Sequence, residues 1–203
     1  MSSFPASPIR LLITLGIADP SNFLTQRTEI LKTVELAVIR GIEIVQIREK
    51  ELPARYLLNL VRDAAALTSG SETSLLVNER FDIALAGGAA GVHLTSTSMP
   101  VERVREAVPP RFIIGVSTHS SAGVVAAKES GADYAMFGPI FDTPGKGEPI
   151  GVDELRRVCR LVSPFPVVAV GGIGGSTEAA VIEAGAAGVA SIRYLNDFVR
   201  IGQ

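Results

Sequence analysis

The strongest constraint on this chain is the regular alternation of short β-branched runs with helical patterns. Eight candidate strands follow one another at a spacing of roughly 25 residues, which is the rhythm of βα units in a parallel barrel. They are RLLITLG (10–16), IEIVQIRE (42–49), SLLVN (74–78), GVHL (91–94), FIIGVS (112–117), YAMFGPI (134–140), PVVAVGG (166–172) and GVASIR (188–193). Between them, apolar residues recur at three- and four-residue steps, which indicates amphipathic helices.

Several of these helical stretches end in a glycine where a left-handed cap is expected, at Gly41, Gly131 and Gly185. Eight evenly spaced strands favour an α/β fold of the closed kind, a single (βα)8 TIM barrel, over an open doubly wound sheet. No linker, charge block or low-complexity segment divides the chain, so residues 1–203 are predicted to form one domain.

Composition excludes several classes of partner. Nineteen basic and 21 acidic residues give a net charge of −2, and no basic cluster is present to bind nucleic acid. The apolar runs are too short and glycine-rich to cross a membrane, and the first residues lack a signal-peptide pattern, so we expect a cytoplasmic protein. The lone cysteine, Cys159, forms no disulfide framework and is expected to be a small packing residue on a helix.

In a barrel of this kind the chemistry lies at the carboxyl ends of the strands. The run VAVGGIGGS is predicted to end strand seven and to open a helix, where glycines let the backbone approach an anion closely. It predicts a phosphate site at Gly172, Gly174 and Gly175, to which Arg193 after strand eight adds a bidentate contact. A tight corner and a solvated rim arginine are the structural alternatives.

A second cationic feature follows strand two. In VQIREK, the residues Gln46, Arg48 and Lys50 alternate and are predicted to share one face of the strand. Cations at the barrel mouth cost desolvation energy unless an anion compensates them, although ion pairs with neighbouring glutamates are an alternative. Lys146 lies on a loop rich in Pro and Gly that is long enough to close over a ligand. Together these features predict a phosphorylated or diphosphorylated small-molecule ligand.

The two histidines receive different interpretations. His119 follows strand five at the mouth, next to Ser117 and Ser120, and an imidazole exchanges protons near neutral pH with little tuning. We therefore predict that His119 is a catalytic acid and base; capping the next helix or bonding a strand carbonyl is the alternative. His93 lies within a strand and is interpreted as a structural histidine bonded inside the barrel.

Several motifs in order resemble the thiamin phosphate synthase and TenI superfamily over nearly the whole chain: QIREK, VNERFDIALA, GVHL, GVSTHS, GADYAMFGPIFDTPGK and VVAVGGIGG. The resemblance implies a βα barrel, a possible homodimer and one of two activities. The synthase joins a pyrimidine methyl diphosphate to a thiazole phosphate with loss of diphosphate, and it needs Mg²⁺. The TenI branch includes a tautomerase that moves a proton within a carboxythiazole phosphate without a metal, and its acid and base matches His119. Synthases also often carry the same histidine.

The resemblance also assigns substrate-binding residues. Gly145 stands where the family has a second threonine of the diphosphate site. The residues that match this site are Gln46, Arg48, Lys50, Thr143 and Lys146, and Asn78 and Ser117 at the ends of strands three and five complete the predicted substrate-binding set.

The metal separates the two branches. The synthase pattern has Asn-Asp after strand three and Gln-x-Asp after strand four, whereas this chain has Asn78-Glu79 and then Ser96 and Ser98. A serine hydroxyl is a neutral and poor Mg²⁺ ligand, so we predict no metal and no cofactor. Glu79 would hold Mg²⁺ only under the synthase alternative. Arg193 replaces the family serine that helps to hold thiazole phosphate.

The sequence thus predicts a metal-independent thiazole tautomerase acting on carboxythiazole phosphate, in which Arg48 or Lys50 lies near the substrate carboxylate. The first alternative is a Mg²⁺-dependent thiamin phosphate synthase. The second is a non-catalytic binding or regulatory protein that has kept the phosphate loop, which the serines at 96 and 98 motivate.

Overall fold

Eight parallel strands close into a barrel in the order β1 to β8, with β1 pairing with β8. The structure, a computed structural model, describes residues 5, 8–16 and 23–201. The strands are β1 (Ile9–Ile13), β2 (Ile44–Ile47), β3 (Ser74–Asn78), β4 (Gly91–Leu94), β5 (Ile113–Thr118), β6 (Tyr134–Phe137), β7 (Val167–Val170) and β8 (Gly188–Ser191). The helices are α1 (Phe23–Ile39), α2 (Ala54–Thr68), α3 (Phe81–Gly87), α4 (Val101–Ala107), α5 (Ser121–Glu129), α6 (Val152–Val162), α7 (Glu178–Glu183) and α8 (Arg193–Arg200).

This architecture confirms the predicted (βα)8 TIM barrel. The three predicted helix-ending glycines, Gly41, Gly131 and Gly185, all have positive φ angles, as a left-handed cap requires. β2 is shorter than predicted, since it ends at Ile47 rather than at residue 49. None of the helices in the described part of the chain has the length and apolar character needed to cross a membrane.

Alternation along the strands separates two apolar layers. The side chains that fill the barrel interior form one cluster: Ile9, Leu11, Ile13, Ile44, Leu76, Ile113, Tyr134, Met136, Val168 and Ala190. The intervening strand residues, such as Val45 and Val189, pack outward against the helices. Cys159 lies in this outer layer on α6, as predicted, where burial raises the pKa of its thiol to about 11.

Glycines allow neighbouring strands to approach very closely at three points of the barrel. A Cβ atom on Gly188 would lie 2.1 Å from the carbonyl oxygen of Ile9, which is its partner across the β1–β8 closure. Similar contacts with backbone oxygens would arise at Gly91 and Gly138. Because a backbone oxygen cannot rotate away as a flexible side chain can, these positions exclude any larger residue without strand movement.

We expect Gly188→Ala to destabilise the protein by about 1–3 kcal/mol or more, since the added methyl group must push β1 and β8 apart. The matched control is Gly147→Ala, where a Cβ would meet no atom within 4 Å and the backbone is not left-handed. Urea unfolding followed by circular dichroism gives both free energies of unfolding. Equal stability of the two variants would contradict the close contact at the closure.

Candidate active site

The predicted site residues lie near or beyond the carboxyl ends of the strands, and parallel strands bring those ends to one rim of the barrel, which we call the mouth. Ser117 lies in β5, and His119 follows that strand directly. The others at or beyond strand ends are Gln46, Arg48 and Lys50 on or after β2, Asn78 at the end of β3, Thr143 and Lys146 after β6, Gly172, Gly174 and Gly175 after β7, and Arg193 after β8. The fold therefore places the whole predicted set on one side of the molecule.

Two amide side chains occupy the interior below the mouth. Gln46 is 1% exposed, and its Nε2 donates to Asn78 Oδ1 at 2.9 Å. Asn78 Nδ2 in turn donates to Glu79 Oε2 at 2.9 Å. Gln46 Oε1 is buried without a hydrogen-bond partner among the described residues. A buried acceptor without a partner costs stability, so this oxygen offers a place for a donor group of a ligand.

The cations at the mouth make no ion pairs with described residues. Because β2 ends at Ile47, the strand alternation does not continue: Arg48 is half-buried and Lys50 is exposed. The alternative of ion pairs with neighbouring glutamates is thus not found in the described part of the chain, and Lys146 and Arg193 are likewise unpaired there. Unpaired cations on one rim attract anions.

His119 is exposed beyond β5 and is oriented by one backbone hydrogen bond. Its Nδ1 lies 2.6 Å from the carbonyl oxygen of Gly138, and a carbonyl can only accept, so Nδ1 carries a hydrogen. Nε2 is then the atom at which this imidazole gains or loses a proton. The predicted alternative of a carbonyl bond is therefore present, whereas the cap of α5 is Ser120, whose Oγ accepts from Gly123 N at 3.1 Å.

His93 is a buried histidine bonded inside the barrel, as predicted. It is 1% exposed, with Nδ1 at 2.8 Å from the Tyr134 hydroxyl and Nε2 at 2.8 Å from Ser117 Oγ. Burial lowers the pKa of His93 to about 3, so its imidazole is neutral at physiological pH. From the sequence, Tyr134 was not identified as the partner of His93. The only signal for this contact was the position of Tyr134 in a predicted strand.

The glycine loop after β7 differs from the prediction. It does not open a helix directly, because β7 ends at Val170 and α7 begins only at Glu178. The Gly174 N–H donates to Thr177 Oγ1 at 2.9 Å and is therefore engaged within the loop. Gly172 has a φ of 64°, and a Cβ there would lie 2.7 Å from the Asp142 carbonyl oxygen. Part of the glycine requirement thus comes from packing against the loop after β6.

Glu79, the Mg²⁺ ligand under the synthase alternative, follows β3 and is hydrogen-bonded by hydroxyl and amide groups. Glu79 Oε1 accepts from Thr95 Oγ1 at 2.5 Å, and Asn78 Nδ2 donates to the other oxygen. Ser98, in the place of the family aspartate, accepts from Thr95 N at 2.9 Å. Glu79 also has a φ of 62°, an uncommon conformation for a residue other than glycine.

Glu79 is the one carboxylate that this donor set offers to a Mg²⁺ ion, because Ser96 and Ser98 supply neutral hydroxyls in place of the second. Each oxygen of Glu79 accepts one hydrogen bond from a neutral donor, which orients the carboxylate. Across the described residues, no group of three or more His, Cys, Asp or Glu side chains could hold a metal ion.

A separate open groove of about 660 Å³ lies outside the barrel between α1 and α2. It contains none of the predicted site residues. Its lining residues are Phe23, Leu24, Arg27, Tyr56, Asn59, Arg62 and Asp63.

The fold and the rim together define a (βα)8 barrel of the kind whose active site lies at the carboxyl ends of the strands. More specifically, the chain belongs to the thiamin phosphate synthase and TenI family, since the family model described as thiamine monophosphate synthase matches residues 15–195. It is an enzyme family of thiamin biosynthesis.

Individual relatives agree with this assignment. The chain is 46% identical over 167 residues to a putative thiamine-phosphate synthase of Geobacter sulfurreducens, covering 81% of this chain and 78% of that protein. It is 42% identical over 160 residues to the thiamine-phosphate synthase of Methanoculleus marisnigri, covering 77% and 75%. Among solved structures, thiamine phosphate pyrophosphorylase from Pyrococcus furiosus superposes with a TM-score of 0.80 at 29% identity, covering 94% of this chain and 91% of that one.

The buried imidazole predicts an acid-sensitive stability. In the unfolded chain a histidine titrates near pH 6.5, whereas folded His93 stays neutral down to about pH 3. Between these values the unfolded state binds the extra proton, so the free energy of unfolding falls as the pH falls, by up to about 1.4 kcal/mol per pH unit. Urea unfolding from about pH 7 to about pH 5 measures this slope before most carboxylates titrate.

His93→Gln is expected to flatten the slope, and His119→Ala should retain the contribution from His93. The same slope in wild type and His93→Gln would contradict the neutral, buried state of this imidazole.

Proposed function

We propose that this protein is a metal-independent thiazole tautomerase that acts on carboxythiazole phosphate. The observation that carries the proposal is the hydrogen bond from His119 Nδ1 to the Gly138 carbonyl at 2.6 Å. It fixes the ring and leaves Nε2 as the one nitrogen that can accept and return a proton. An acid and base of this kind suits a proton shift within one substrate.

The substrate phosphate would bind at the glycine loop and Arg193. The Gly174 N–H already donates to Thr177 Oγ1 and is not available to the phosphate in this conformation. Gly174 instead leaves open space beside the loop, since a Cβ there would meet no atom within 4 Å. The proposed phosphate ligands are the amides of Gly172 and Gly175 and the guanidinium of Arg193, which makes no ion pair with a described residue. Arg48 or Lys50 would lie near the substrate carboxylate.

The remaining predicted residues would enclose the substrate ring. Gln46, Asn78 and Ser117 line the interior below it, and the loop that carries Thr143 and Lys146 would cover it. Thr143 Oγ1 already donates to the Phe141 carbonyl at 2.9 Å, which leaves its oxygen as an acceptor.

The reaction balances without a co-reactant. His119 Nε2 takes a proton from one carbon of the non-aromatic ring, and the electron pair of the broken C–H bond enters the ring system. The imidazolium then returns a proton to the carbon at the other end of the shifted double bond, which makes the ring aromatic and restores neutral His119. Aromatisation supplies a large driving force, and one positioned acid and base serves both proton transfers.

A thiamin phosphate synthase is the second candidate, and the names of the relatives at 42–46% identity favour it. Arg48, Lys50 and Lys146, unpaired among described residues, would stabilise a departing diphosphate. Glu79 would be its one carboxylate ligand for Mg²⁺, with neutral serines at 96 and 98 in place of the second carboxylate pattern.

One assay with two arms tests the proposal. Purified protein is incubated with the non-aromatic carboxythiazole phosphate in EDTA, and separately with pyrimidine methyl diphosphate and thiazole phosphate, with and without Mg²⁺. We expect conversion in the first arm and no coupling in the second. Coupling that requires Mg²⁺ would replace the proposal by the synthase, and inactivity in both arms would leave a binding or regulatory protein.

A homodimer, a cytoplasmic location, and the absence of nucleic-acid and membrane partners stay predictions from the sequence.

His119→Ala is expected to lower kcat for the proton shift by at least about 100-fold, because it removes the only proposed acid and base. The matched control is Ser120→Ala, which removes the cap of α5 and costs about 1 kcal/mol of stability but leaves the chemistry in place. Steady-state kinetics in EDTA measure both variants. A His119→Ala variant as active as Ser120→Ala would contradict the assignment.

Arg193→Ala is expected to weaken binding of carboxythiazole phosphate by about 10- to 100-fold, the usual effect of losing a charged hydrogen bond. Arg62→Ala is the control, because Arg62 is also exposed and unpaired among the described residues but lies on α2, outside the mouth. Isothermal titration calorimetry gives both dissociation constants. Equal affinities for the two variants would remove Arg193 from the phosphate site.

A further inference from the structure

We propose that Tyr134 and His93 are positioning residues that aim the hydroxyl proton of Ser117 toward the mouth, where it donates to an acceptor atom on the ring of the bound ligand. This inference rests on the proposed function for the identity of that ring. The observation behind it is a continuous chain of hydrogen-bonding groups, Tyr134 to His93 to Ser117, that runs from the sealed barrel interior to the mouth.

The register of three neighbouring strands builds this chain. His93 on β4 lies opposite Gly115 on β5, which lies opposite Tyr134 on β6. Gly115 makes room for the phenol ring, because a Cβ there would lie 2.4 Å from the Tyr134 hydroxyl oxygen. The hydroxyl thereby reaches across β5 to His93, and the two rings lie 5.6 Å apart.

Exposure increases along the chain. Tyr134 is 0% exposed and His93 is 1% exposed, whereas Ser117 is half-buried. Ser117 lies two residues beyond Gly115 on the inward face of β5, and His119 follows two residues further on. The Ser117 hydroxyl therefore lies between the sealed barrel interior and His119, the proposed acid and base.

The protonation states of the three groups are restricted. Burial lowers the pKa of His93 to about 3, so its ring carries one N–H and one unprotonated nitrogen. Burial, with a contribution from Asp133, raises the pKa of Tyr134 above its ordinary value, so the phenol keeps its proton. A neutral imidazole that makes two hydrogen bonds donates one and accepts the other.

The chemistry of the two hydroxyls sets the direction. A phenol is more acidic than an aliphatic alcohol and is the stronger donor, so the Tyr134 hydroxyl donates to His93 Nδ1. The Nε2–H of His93 then donates to Ser117 Oγ. With one lone pair of Ser117 engaged in this way, its own O–H is directed to another acceptor. Tyr134 and His93 are sealed whereas Ser117 is half-buried, so we infer that the acceptor comes from the mouth. The ligand class is a heteroaromatic ring or ring carboxylate that presents an acceptor there.

The tautomer of His93 can be measured without any ligand. The chain contains two histidines, so a ¹⁵N-histidine-labelled sample of His119→Ala identifies the His93 resonances directly. We expect one neutral tautomer with the hydrogen on Nε2, unchanged from about pH 5 to about pH 9. A hydrogen on Nδ1, or titration of His93 in this range, would overturn the proposal.

Conservative variants test the effect on the ligand. Ser117→Ala and Tyr134→Phe are each expected to raise the dissociation constant for carboxythiazole phosphate by roughly three- to tenfold, the effect of losing a neutral hydrogen bond. Because both changes break one chain, the double variant should bind no more weakly than Ser117→Ala alone. The pH profile of kcat should be the same in Tyr134→Phe and in wild type, because this variant leaves the proposed acid and base in place. A change in the catalytic chemistry would alter that profile.

The outcomes separate the two proposals. Additive losses in the double variant, or an unchanged affinity in Tyr134→Phe whose ¹⁵N spectrum shows a folded protein, would overturn the positioning role while leaving the tautomerase proposal intact. Failure of wild type to convert the substrate would overturn the tautomerase proposal, and the affinity series with the same compound would still decide the positioning role. Absence of any binding by wild type would overturn both.

Discussion

Closure of the barrel by the parallel pairing of β1 with β8 is the constraint on which the rest of the structure depends. It brings every strand end to the same rim, so residues far apart in the chain share one mouth. The closure requires strands to approach more closely than a side chain permits at Gly91, Gly138 and Gly188. Barrel closure thus determines both where glycine is required and where the predicted site residues come together.

Inside the rim, the polar groups are neutral and interlocked. Gln46 bonds Asn78, and His93 joins Tyr134 to Ser117, all within the barrel. Charged groups in this interior would carry a large desolvation cost, which the low pKa of His93 reflects. The cations stay at the outer mouth, where water can solvate them until an anion arrives. A phosphorylated ring would accordingly meet neutral donors and acceptors at its base and positive charge at its edge.

Much of this could be predicted from the sequence because the hydrophobic periodicity is regular. All eight strands were identified, and Cys159 and His93 were correctly interpreted as packing and interior residues. Other features depend on where elements begin and end. Lys50 is exposed because β2 stops at Ile47. The glycines after β7 lie in a seven-residue loop, 171–177, and not in the first turn of α7.

The Tyr134 contact could not be predicted, since it depends on strand register and on the space left at Gly115. Pattern reasoning gives the face on which a strand residue lies but not its neighbour across two strands. The replacement of the family aspartate by Ser98 was visible in the sequence. Its consequence, a carboxylate at Glu79 held by hydroxyl and amide donors, required the structure.

Under the proposed function, the mouth binds a phosphorylated ring with the chain's own cations and polar groups and without a divalent ion. The decisive experiment is a calorimetric titration of the wild-type protein with carboxythiazole phosphate, first in EDTA and then in Mg²⁺. We expect one binding event per chain with the same affinity in both buffers. Binding that appears only when Mg²⁺ is present would contradict this expectation.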